Sequence, residues 1–354
     1  MMTYFETKWQ APSNIALIKY WGKHGNQLPN NPSLSVTLNK AVTTSAITFS
    51  ELPNNVKTGS GISLDYYFDG NRIPAFENRI FGYLEKLLPA LPVLSRYHIT
   101  VNSSNTFPHS AGIASSASSM AALALGLCEA DLHFRGETQL DPSFFQKASA
   151  LARLGSGSAA RSLFGGFVSW GYSEHLADSS DEHAAPLPFE PHPVFRKPGV
   201  AIMIASSARK SISSSLGHRL MEQHPFAEAR YQQAHNHLAE ILTALRTGDF
   251  EKFTHLTETE ALTLHSLLMT SAPEGLLLKP ASLQIIETVR RFRMESGVPV
   301  TFTLDAGPNV LLIYPEEYRN SVLPFIEEQL VPLCENGHWM DDRMGDGPQK
   351  CVHP

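Results

Sequence analysis

Cysteine is scarce in this chain of 354 residues, which contains only three. Cys128, Cys334 and Cys351 lie far apart in the sequence, so they form neither a disulfide framework nor the paired spacing of a zinc site. A protein without structural disulfides suits a reducing compartment, and the sequence therefore predicts a cytoplasmic protein. No set of metal-ligating residues is predicted.

Long apolar runs and long basic runs are missing as well. No apolar stretch is long enough to span a bilayer, and residues 1–8 have no basic start followed by an apolar run, so we expect neither a membrane helix nor a signal peptide. The formal net charge is −6, and without a concentrated basic patch bulk nucleic-acid binding is not expected. A small anionic substrate needs only a few local cations and is not excluded.

Two common nucleotide-binding motifs are also absent. The Gly22-Lys23 pair, the only Gly-Lys pair in the chain, is followed by His24 and lacks the earlier glycine of a Walker A loop. Residues 155–160 match a relaxed dinucleotide fingerprint, Gly-x-Gly-x-x-Ala, but they follow a predicted helix deep in the chain rather than the first strand of a βαβ unit. We therefore reject a Rossmann domain.

The composition that remains is that of a globular protein, with 42% hydrophobic and 18% charged residues, and the length favours two domains. Period-two and short apolar patterns predict strands at 33–38, 44–49, 98–101, 200–205, 298–305 and 310–314. Helical periodicity predicts helices at 76–88, 142–154, 225–246, 250–269 and 282–296. His235 and His237 lie on one of these helices, two residues apart, and are interpreted as surface residues rather than metal ligands.

The most informative stretch is 105–119, Asn-Thr-Phe-Pro-His-Ser-Ala-Gly-Ile-Ala-Ser-Ser-Ala-Ser-Ser. It is small and hydroxyl-rich, it follows a predicted strand, and it runs into good helix-forming sequence. Gly112 permits a tight turn or a close approach to a ligand. Ser115 and Ser116 occupy the expected N-cap region of the helix, where free N–H groups and the helix dipole attract phosphate. The alternative is a loop that caps a buried Ala-rich helix.

Three further stretches carry candidate functional residues. The apolar residues 15–18 end abruptly in Lys19-Tyr20-Trp21-Gly22-Lys23, which favours a site wall over a strand end with exposed lysines. Residues 209–215, Arg-Lys-Ser-Ile-Ser-Ser-Ser, could bind an anion or cap a helix. Asp305 stands between a predicted strand and the turn 306–309, where it could be catalytic or simply a turn residue.

Taken together and in this order, these stretches resemble the mevalonate diphosphate decarboxylase family of the GHMP kinase superfamily. The resemblance rests on residues 11–23, 32–38, 105–119, 155–167 and 302–309, which are spread over nearly the whole length of the chain. It implies an ATP-dependent decarboxylation of a 3-hydroxy-3-methyl acid that carries a 5-diphosphate, with ATP and Mg²⁺ as cofactors. Phosphorylation would turn the tertiary hydroxyl into a leaving group, and its departure would allow the neighbouring carboxylate to leave as carbon dioxide.

The resemblance also implies a role for each matched residue. Asp305 would act on the hydroxyl proton, Lys19 would steady that carboxylate or the phosphoryl group, and Arg161 would hold the substrate carboxylate. The residues matched to substrate binding are Asn14, Tyr20, Lys23, Ser156, Ser158, Ser213 and Ser214. The residues matched to ATP binding are Pro108, Ser110, Ala111, Gly112, Ala114, Ser115 and Ser116.

The same resemblance implies an α/β (α+β) fold of two domains, with mixed sheets, helices packed on them and the active site in the cleft between the domains. The expected domains are 1–190, which carries the phosphate loop, and 191–354, which carries Asp305. A homodimer is expected from the family, and no nucleic-acid or membrane partner is expected.

The chain departs from the family pattern after Ser213-Ser214. It has Ser-Leu-Gly-His at 215–218, where the family has Thr or Arg followed by a Gly-Met pair. An arginine there would help to bind a diphosphate, so a monophosphate substrate stays open. It also has Glu260-Ala261-Leu262 where the family has Asp-Ser-Asn. The alternatives are a decarboxylase or 3-kinase acting on mevalonate 5-phosphate or a related acid, and a relative that only binds.

Overall fold

The structure, a computed structural model, describes residues 3–52, 61–107, 114–208, 213–271 and 275–351. The strands are β1 Thr3–Ile18, β2 Lys23–His24, β3 Leu28–Pro29, β4 Ser33–Ser50, β5 Ser63–Phe68, β6 Asn71–Arg72, β7 His98–Asn105, β8 Phe167–Trp170, β9 Ala185–Pro186, β10 Gly199–Met203, β11 Thr301–Thr303, β12 Val310–Tyr314, β13 Trp339–Arg343 and β14 Gln349–Lys350. The α-helices are α1 Pro74–Leu87, α2 Ser115–Phe134, α3 Pro142–Gly155, α4 Ser214–Leu220, α5 Ala227–Thr247, α6 Phe250–Ser271, α7 Pro280–Ser296 and α8 Arg319–Phe325.

Two main sheets organise these elements, beside a two-stranded sheet of β2 and β3, and the predicted α/β class is confirmed. The larger sheet has the order β14-β1-β4-β7-β5-β6, with β8 and β9 added beside β4, and it is mixed because β5 pairs with β7 in parallel. The smaller sheet has the order β11-β12-β10-β13 and is antiparallel throughout. The predicted strand at 200–205 is therefore confirmed as an interior strand, β10.

The sequence predicted two separate strands at 33–38 and 44–49, whereas the structure has one strand, β4, of 18 residues. Both halves of β4 pair with β1 along its whole length, and register shifts at three points absorb the irregularities. The alternation of apolar and polar residues is interrupted between the two halves, so a local pattern cannot show that the backbone continues. The continuity of β4 follows from its pairing with the long strand β1.

Helix α2, which follows the predicted phosphate loop, packs against the larger sheet and α3. Most of its residues are buried, because it packs on β1, β4 and α3. Gly126 allows this close contact, since a Cβ atom there would lie 2.7 Å from Cδ1 of Ile47. The predicted helices are confirmed as α1, α3, α5, α6 and α7, with ends within a few residues of those expected.

The two sheets share one buried apolar cluster, and the chain passes between them twice. Leu17 of β1, Val36 of β4, Ile202 of β10 and Leu238 of α5 belong to a single buried cluster. The chain then leaves the smaller sheet after β13 and returns to pair β14 with β1, a connection that the sequence did not predict. The ends of β1 and of β11 are therefore held in a fixed relation, and this matters for the site between them.

Candidate active site

A cavity of 540 Å³ lies between the end of β1, helix α1, the start of α2, the 3₁₀ helix Gly157–Leu163, helix α4 and the turn between β11 and β12. The structure brings together on its wall most of the residues that the sequence singled out. These are Asn14, Lys19, Tyr20, Lys23, Ala114, Ser116, Ser156, Ser158, Arg161, Ser213 and Asp305. They come from five distant parts of the sequence, so the convergence is a property of the fold.

Of the remaining predicted residues, only Ser115 can be placed relative to this cavity. Ser115 stands one residue away from the cavity wall at the start of α2. Ser214 begins α4, and its side chain is not described. Pro108, Ser110, Ala111 and Gly112 lie outside the described residues, so their predicted contact with ATP stays a prediction.

The start of α2 differs slightly from the expected N-cap. Ser115 and Ser116 are the first two helical residues, and the flanking residue is Ala114, which has a left-handed backbone (φ 46°, ψ 41°). No side chain of the described residues caps this helix. The N–H of Ala117 bonds to the carbonyl of Ala114 at 2.7 Å, which leaves the N–H groups of Ser115 and Ser116 as the candidate donors to a ligand. Ser116 Oγ lies 3.2 Å from Ser156 Oγ, which places two hydroxyls on the cavity wall. This arrangement suits phosphate.

Lys19 and Asp305 form an ion pair on the cavity wall. Lys19 Nζ lies 3.1 Å from Asp305 Oδ1, 2.9 Å from Thr303 Oγ1 and 2.5 Å from the carbonyl of Ala16. The lysine is 2% exposed and the aspartate side chain 23% exposed. Burial lowers the pKa of Lys19, and Asp305 opposes that shift. The interpretation as an exposed strand-end lysine is therefore wrong for Lys19.

The structure also separates the two roles that the sequence allowed for Asp305. The turn after β11 is closed by the main chain, because the carbonyl of Asp305 accepts a hydrogen bond from the N–H of Gly307 at 2.7 Å. The carboxylate points instead to Lys19 and borders the cavity. Its side chain is thus available for chemistry while its backbone makes the turn.

Arg161 is buried behind the same wall, in the 3₁₀ helix after α3. Its Nε donates to Asn14 Oδ1 at 3.2 Å and its Nη1 donates to Ser33 Oγ at 2.7 Å. Burial lowers its pKa to about 10, and Asp305 and Tyr20 oppose that shift. The guanidinium therefore stays charged at neutral pH, and two hydrogen bonds fix its plane beside the cavity.

An aromatic wall lies next to these groups. The ring of His218, on α4, packs against Tyr20 at 4.2 Å and Trp21 at 4.9 Å between centroids. His218 Nδ1 accepts the N–H of Gly22 at 3.0 Å, so the proton of the neutral ring lies on Nε2. The hydroxyl of Tyr20 is buried and has no hydrogen-bond partner among the described residues. It borders the cavity and could donate to a ligand.

Comparison with known proteins places this geometry in a family. Residues 11–181 match the model of the diphosphomevalonate decarboxylase-like N-terminal domain, and residues 200–349 match that of the mevalonate 5-diphosphate decarboxylase C-terminal domain. The diphosphomevalonate decarboxylase of Ganoderma lucidum is 33% identical over 350 residues, which cover 95% of this chain and 84% of that protein. The chain belongs to the diphosphomevalonate decarboxylase family.

Solved structures of this family have the same fold. Mevalonate diphosphate decarboxylase from Staphylococcus aureus is 28% identical, with a TM-score of 0.82 over 98% of each chain. The protein MDDEF, in complex with MVAPP, AMPPCP and magnesium, is also 28% identical, with a TM-score of 0.81 over 98% of this chain and 99% of that one. The predicted GHMP kinase fold is confirmed by these matches.

The sequence analysis did not single out two basic residues of α1 that border the cavity. Arg79 and Lys86 line the cavity, and they are seven residues apart, so they lie on one face of the helix. Lys23 is on the same wall, and its pKa is lowered by burial, Arg219 and Lys86. Two cations at a spacing of seven on an amphipathic helix were the signal that could have indicated them. The region is suited to an anion.

Within the described ranges, no helix is both long and apolar enough to cross a membrane. Across those same ranges, no group of three or more His, Cys, Asp or Glu side chains could hold a metal ion.

His218 gives a prediction about stability, because burial and then Lys23 lower its pKa to about 3. An unfolded histidine has a pKa of about 6.5, so between these values only the unfolded chain takes up the proton. The contribution of neutral His218 to the free energy of unfolding is complete above the pKa of the unfolded histidine. It is lost as the pH falls below that value, at up to about 1.4 kcal/mol per pH unit. We expect His218→Met to remove this part of the acid sensitivity.

The measurement is the free energy of unfolding in urea for parent and variant at pH 7.5, 6.0 and 5.0. The variant loses the hydrogen bond from Gly22, a penalty that does not depend on pH. On acidification, the parent should therefore lose more of its free energy of unfolding than the variant does. An unchanged difference across this range would contradict a buried neutral His218.

Proposed function

We propose that this protein catalyses the ATP-dependent decarboxylation of mevalonate 5-diphosphate to isopentenyl diphosphate, with release of ADP, phosphate and carbon dioxide. The observation that carries the proposal is that one cavity holds the uncapped start of α2, the Lys19–Asp305 pair and Arg161. Membership of the family supports it, as does the related structure that contains MVAPP, AMPPCP and magnesium.

The reaction has two steps, which are phosphoryl transfer to the 3-hydroxyl group and loss of phosphate with carbon dioxide. Asp305 accepts the proton of the substrate's 3-hydroxyl group. The hydroxyl oxygen attacks the γ-phosphorus of ATP, and ADP leaves. Lys19 holds the aspartate in position and adds positive charge beside the transferring phosphoryl group. The C–O bond to the new phosphate then breaks, phosphate leaves with the electron pair, and the C–C bond to the carboxylate supplies the electrons of the alkene as carbon dioxide departs.

Arg161 and Asn14 suit the carboxylate end of the substrate. The guanidinium offers a planar fork of donors whose orientation Asn14 and Ser33 fix. A carboxylate that must lose its charge as carbon dioxide leaves is best held by donors that stay in place. We assign substrate orientation to these two residues.

The diphosphate end of the substrate suits the rest of the cavity wall, towards α1. Lys23, Tyr20, Ser156 and Ser158 were matched to substrate phosphates, and Lys86 of α1 lies on the same wall. The chain lacks the arginine that the family has after the serine pair, but Arg79 and Lys86 supply two other cations to the cavity. We therefore favour the diphosphate over the monophosphate.

Mg²⁺ fits the donor chemistry of the cavity. It prefers oxygen ligands and usually binds through one or two carboxylates together with substrate phosphates. Asp305 and Ser116 offer such oxygens on the cavity wall, and no preformed acidic cluster is needed. When bound, the ion would neutralise charge on the phosphates of ATP.

The decisive experiment compares mevalonate 5-diphosphate and mevalonate 5-phosphate as substrates, each with ATP and Mg²⁺. We expect ADP and carbon dioxide in equal amounts, and turnover with the diphosphate. ADP without carbon dioxide would make the protein a 3-kinase, and turnover only with the monophosphate would reassign the substrate. Absence of ADP with both acids would leave only a binding function.

Ser116 provides a test of the nucleotide site, because it lines the cavity whereas Ser115 does not. A hydrogen bond to a charged group contributes about 1.5–3 kcal/mol, so we expect Ser116→Ala to raise the KM for ATP by roughly tenfold or more. The matched control is Ser115→Ala, for which we expect a smaller change. A larger effect of Ser115→Ala would show that the other serine of the pair contacts the nucleotide.

We also propose a domain division at 1–190 and 191–354, a homodimer and a cytoplasmic location. The division is supported by β9, which ends the first run of strands in the larger sheet, and by β10, which begins the smaller one. The dimer rests on the resemblance to the family, and the location rests on the scarcity of cysteine. Light scattering of the purified protein and fractionation of cells test the last two.

A further inference from the structure

The main chain of Lys19 is held by a buried ion pair that the sequence did not indicate. Lys19 follows the last residue of β1, so its N–H and C=O no longer belong to the ladder of the sheet. Glu260 Oε2 accepts the Lys19 N–H at 2.9 Å, and Arg230 Nη2 donates to the Lys19 carbonyl at 3.1 Å. Asn31 also donates to that carbonyl, at 2.9 Å.

The pair is bidentate and buried. Arg230 of α5 and Glu260 of α6 make two hydrogen bonds of 2.8 and 2.6 Å, and their side chains are 1% and 0% exposed. His237 completes it with a contact of 2.7 Å to Glu260 Oε1, so the interpretation of His237 as a surface residue is wrong. Burial alone would raise the pKa of Glu260, but Arg230 and His237 outweigh it and hold that pKa low.

The helix that carries Glu260 also holds the main chain of Asp305. His265 of α6 contacts the carbonyl of Asp305 through Nε2 at 3.1 Å, and because a carbonyl only accepts, the histidine donates. One helix therefore fixes the backbone on both sides of the Lys19–Asp305 contact. The two residues are 286 positions apart in the chain, and no strand pairing joins them directly.

Stability alone is a weak reason for such a pair. Two charges that leave water lose much of their hydration energy, and well-packed apolar residues of similar size often stabilise a fold as well or better. What this pair supplies is a fixed backbone at Lys19. Glu260 accepts from the N–H of Lys19, and Arg230 donates to its carbonyl. Lys19 carries the ammonium group that meets Asp305.

We propose that Glu260, Arg230 and His265 are positioning residues that set Lys19 Nζ against the Asp305 carboxylate through the main chains of both residues. The inference rests on the proposed function, in which Lys19 and Asp305 act on the hydroxyl and phosphoryl groups. Misplacement of a reacting group by 1 Å can lower a rate by about 10²-fold, so a partial loss of this grip should lower kcat by about tenfold.

The test compares Glu260→Gln with Glu258→Gln. Glu258 is a matched control because it lies on the same helix, is also buried and also pairs with arginines, Arg290 and Arg293 of α7, away from the cavity. We expect Glu260→Gln to lower kcat by about tenfold while the KM for each substrate changes by less than about threefold. We expect Glu258→Gln to keep kcat near that of the parent. All rates are taken at a temperature where circular dichroism shows folded protein.

A second variant decides the matter if Glu260→Gln does not fold. The double variant Arg230→Met/Glu260→Leu removes both charges, leaves no buried ion unpaired and should fold. We expect it, too, to lose kcat rather than substrate affinity. The proposal is overturned if the double variant keeps parental kcat, if Glu260→Gln behaves like Glu258→Gln, or if the loss lies in KM alone. A parent protein that releases no carbon dioxide fails the proposed function instead, so the two failures are distinct.

Discussion

Asp305→Asn is expected to lower turnover of the protein by roughly 10²–10⁴-fold, the usual contribution of a general base. The substitution keeps the shape of the side chain and an oxygen that can still accept from Lys19 Nζ, but it removes the group that takes the hydroxyl proton. The turn should persist, because the main chain of Asp305 closes it through Gly307. The measurement is kcat from carbon dioxide release at saturating substrates.

Two controls accompany this measurement. Binding of ATP, measured by calorimetry, should change little, because the start of α2 is untouched. The melting temperature should fall only modestly, since Lys19 Nζ retains Thr303 and the carbonyl of Ala16 as acceptors. Near-parental turnover would reduce Asp305 to a turn residue, and a loss that merely follows unfolding would leave its carboxylate without the proposed role.

Arg161→Lys is the second substitution with a large expected effect, although the charge is conserved. An ammonium group cannot bond to Asn14 and Ser33 and also present a fork of donors to a carboxylate. Each bond to a charged group contributes about 1.5–3 kcal/mol, so we expect kcat/KM for the acid to fall by about 10²-fold. The KM for ATP should change far less.

Arg153→Lys is the matched control for this experiment. Arg153 is also a buried arginine near the site, but its bonds go to the carbonyls of Asn26 and Glu182, and it does not border the cavity. We expect this variant to keep the parental kcat/KM at a temperature where both variants are folded. Equal losses in the two variants would show that Arg161 has a structural role only.

Most of the cavity wall could be predicted from sequence because its residues occur in contiguous stretches. Tyr20 and Lys23 follow a buried strand, Ser156 and Arg161 follow a helix, and Asp305 precedes a turn. Such stretches are recognisable in one dimension, since the chemistry is concentrated where regular elements end. The cations of α1 were missed because their only local signal is a charged face, which most surface helices also have.

The sequence by itself determined the longer helices, several of the strands, the family and many of the side chains that border the cavity. Only the tertiary structure decided that Lys19 is buried, that its backbone is held by Arg230 and Glu260, and that His237 faces inward. These contacts join residues as many as 241 positions apart. Periodicity reports which face of an element is buried, but it does not report which distant polar group meets it there, because that depends on how the two sheets and their helices pack.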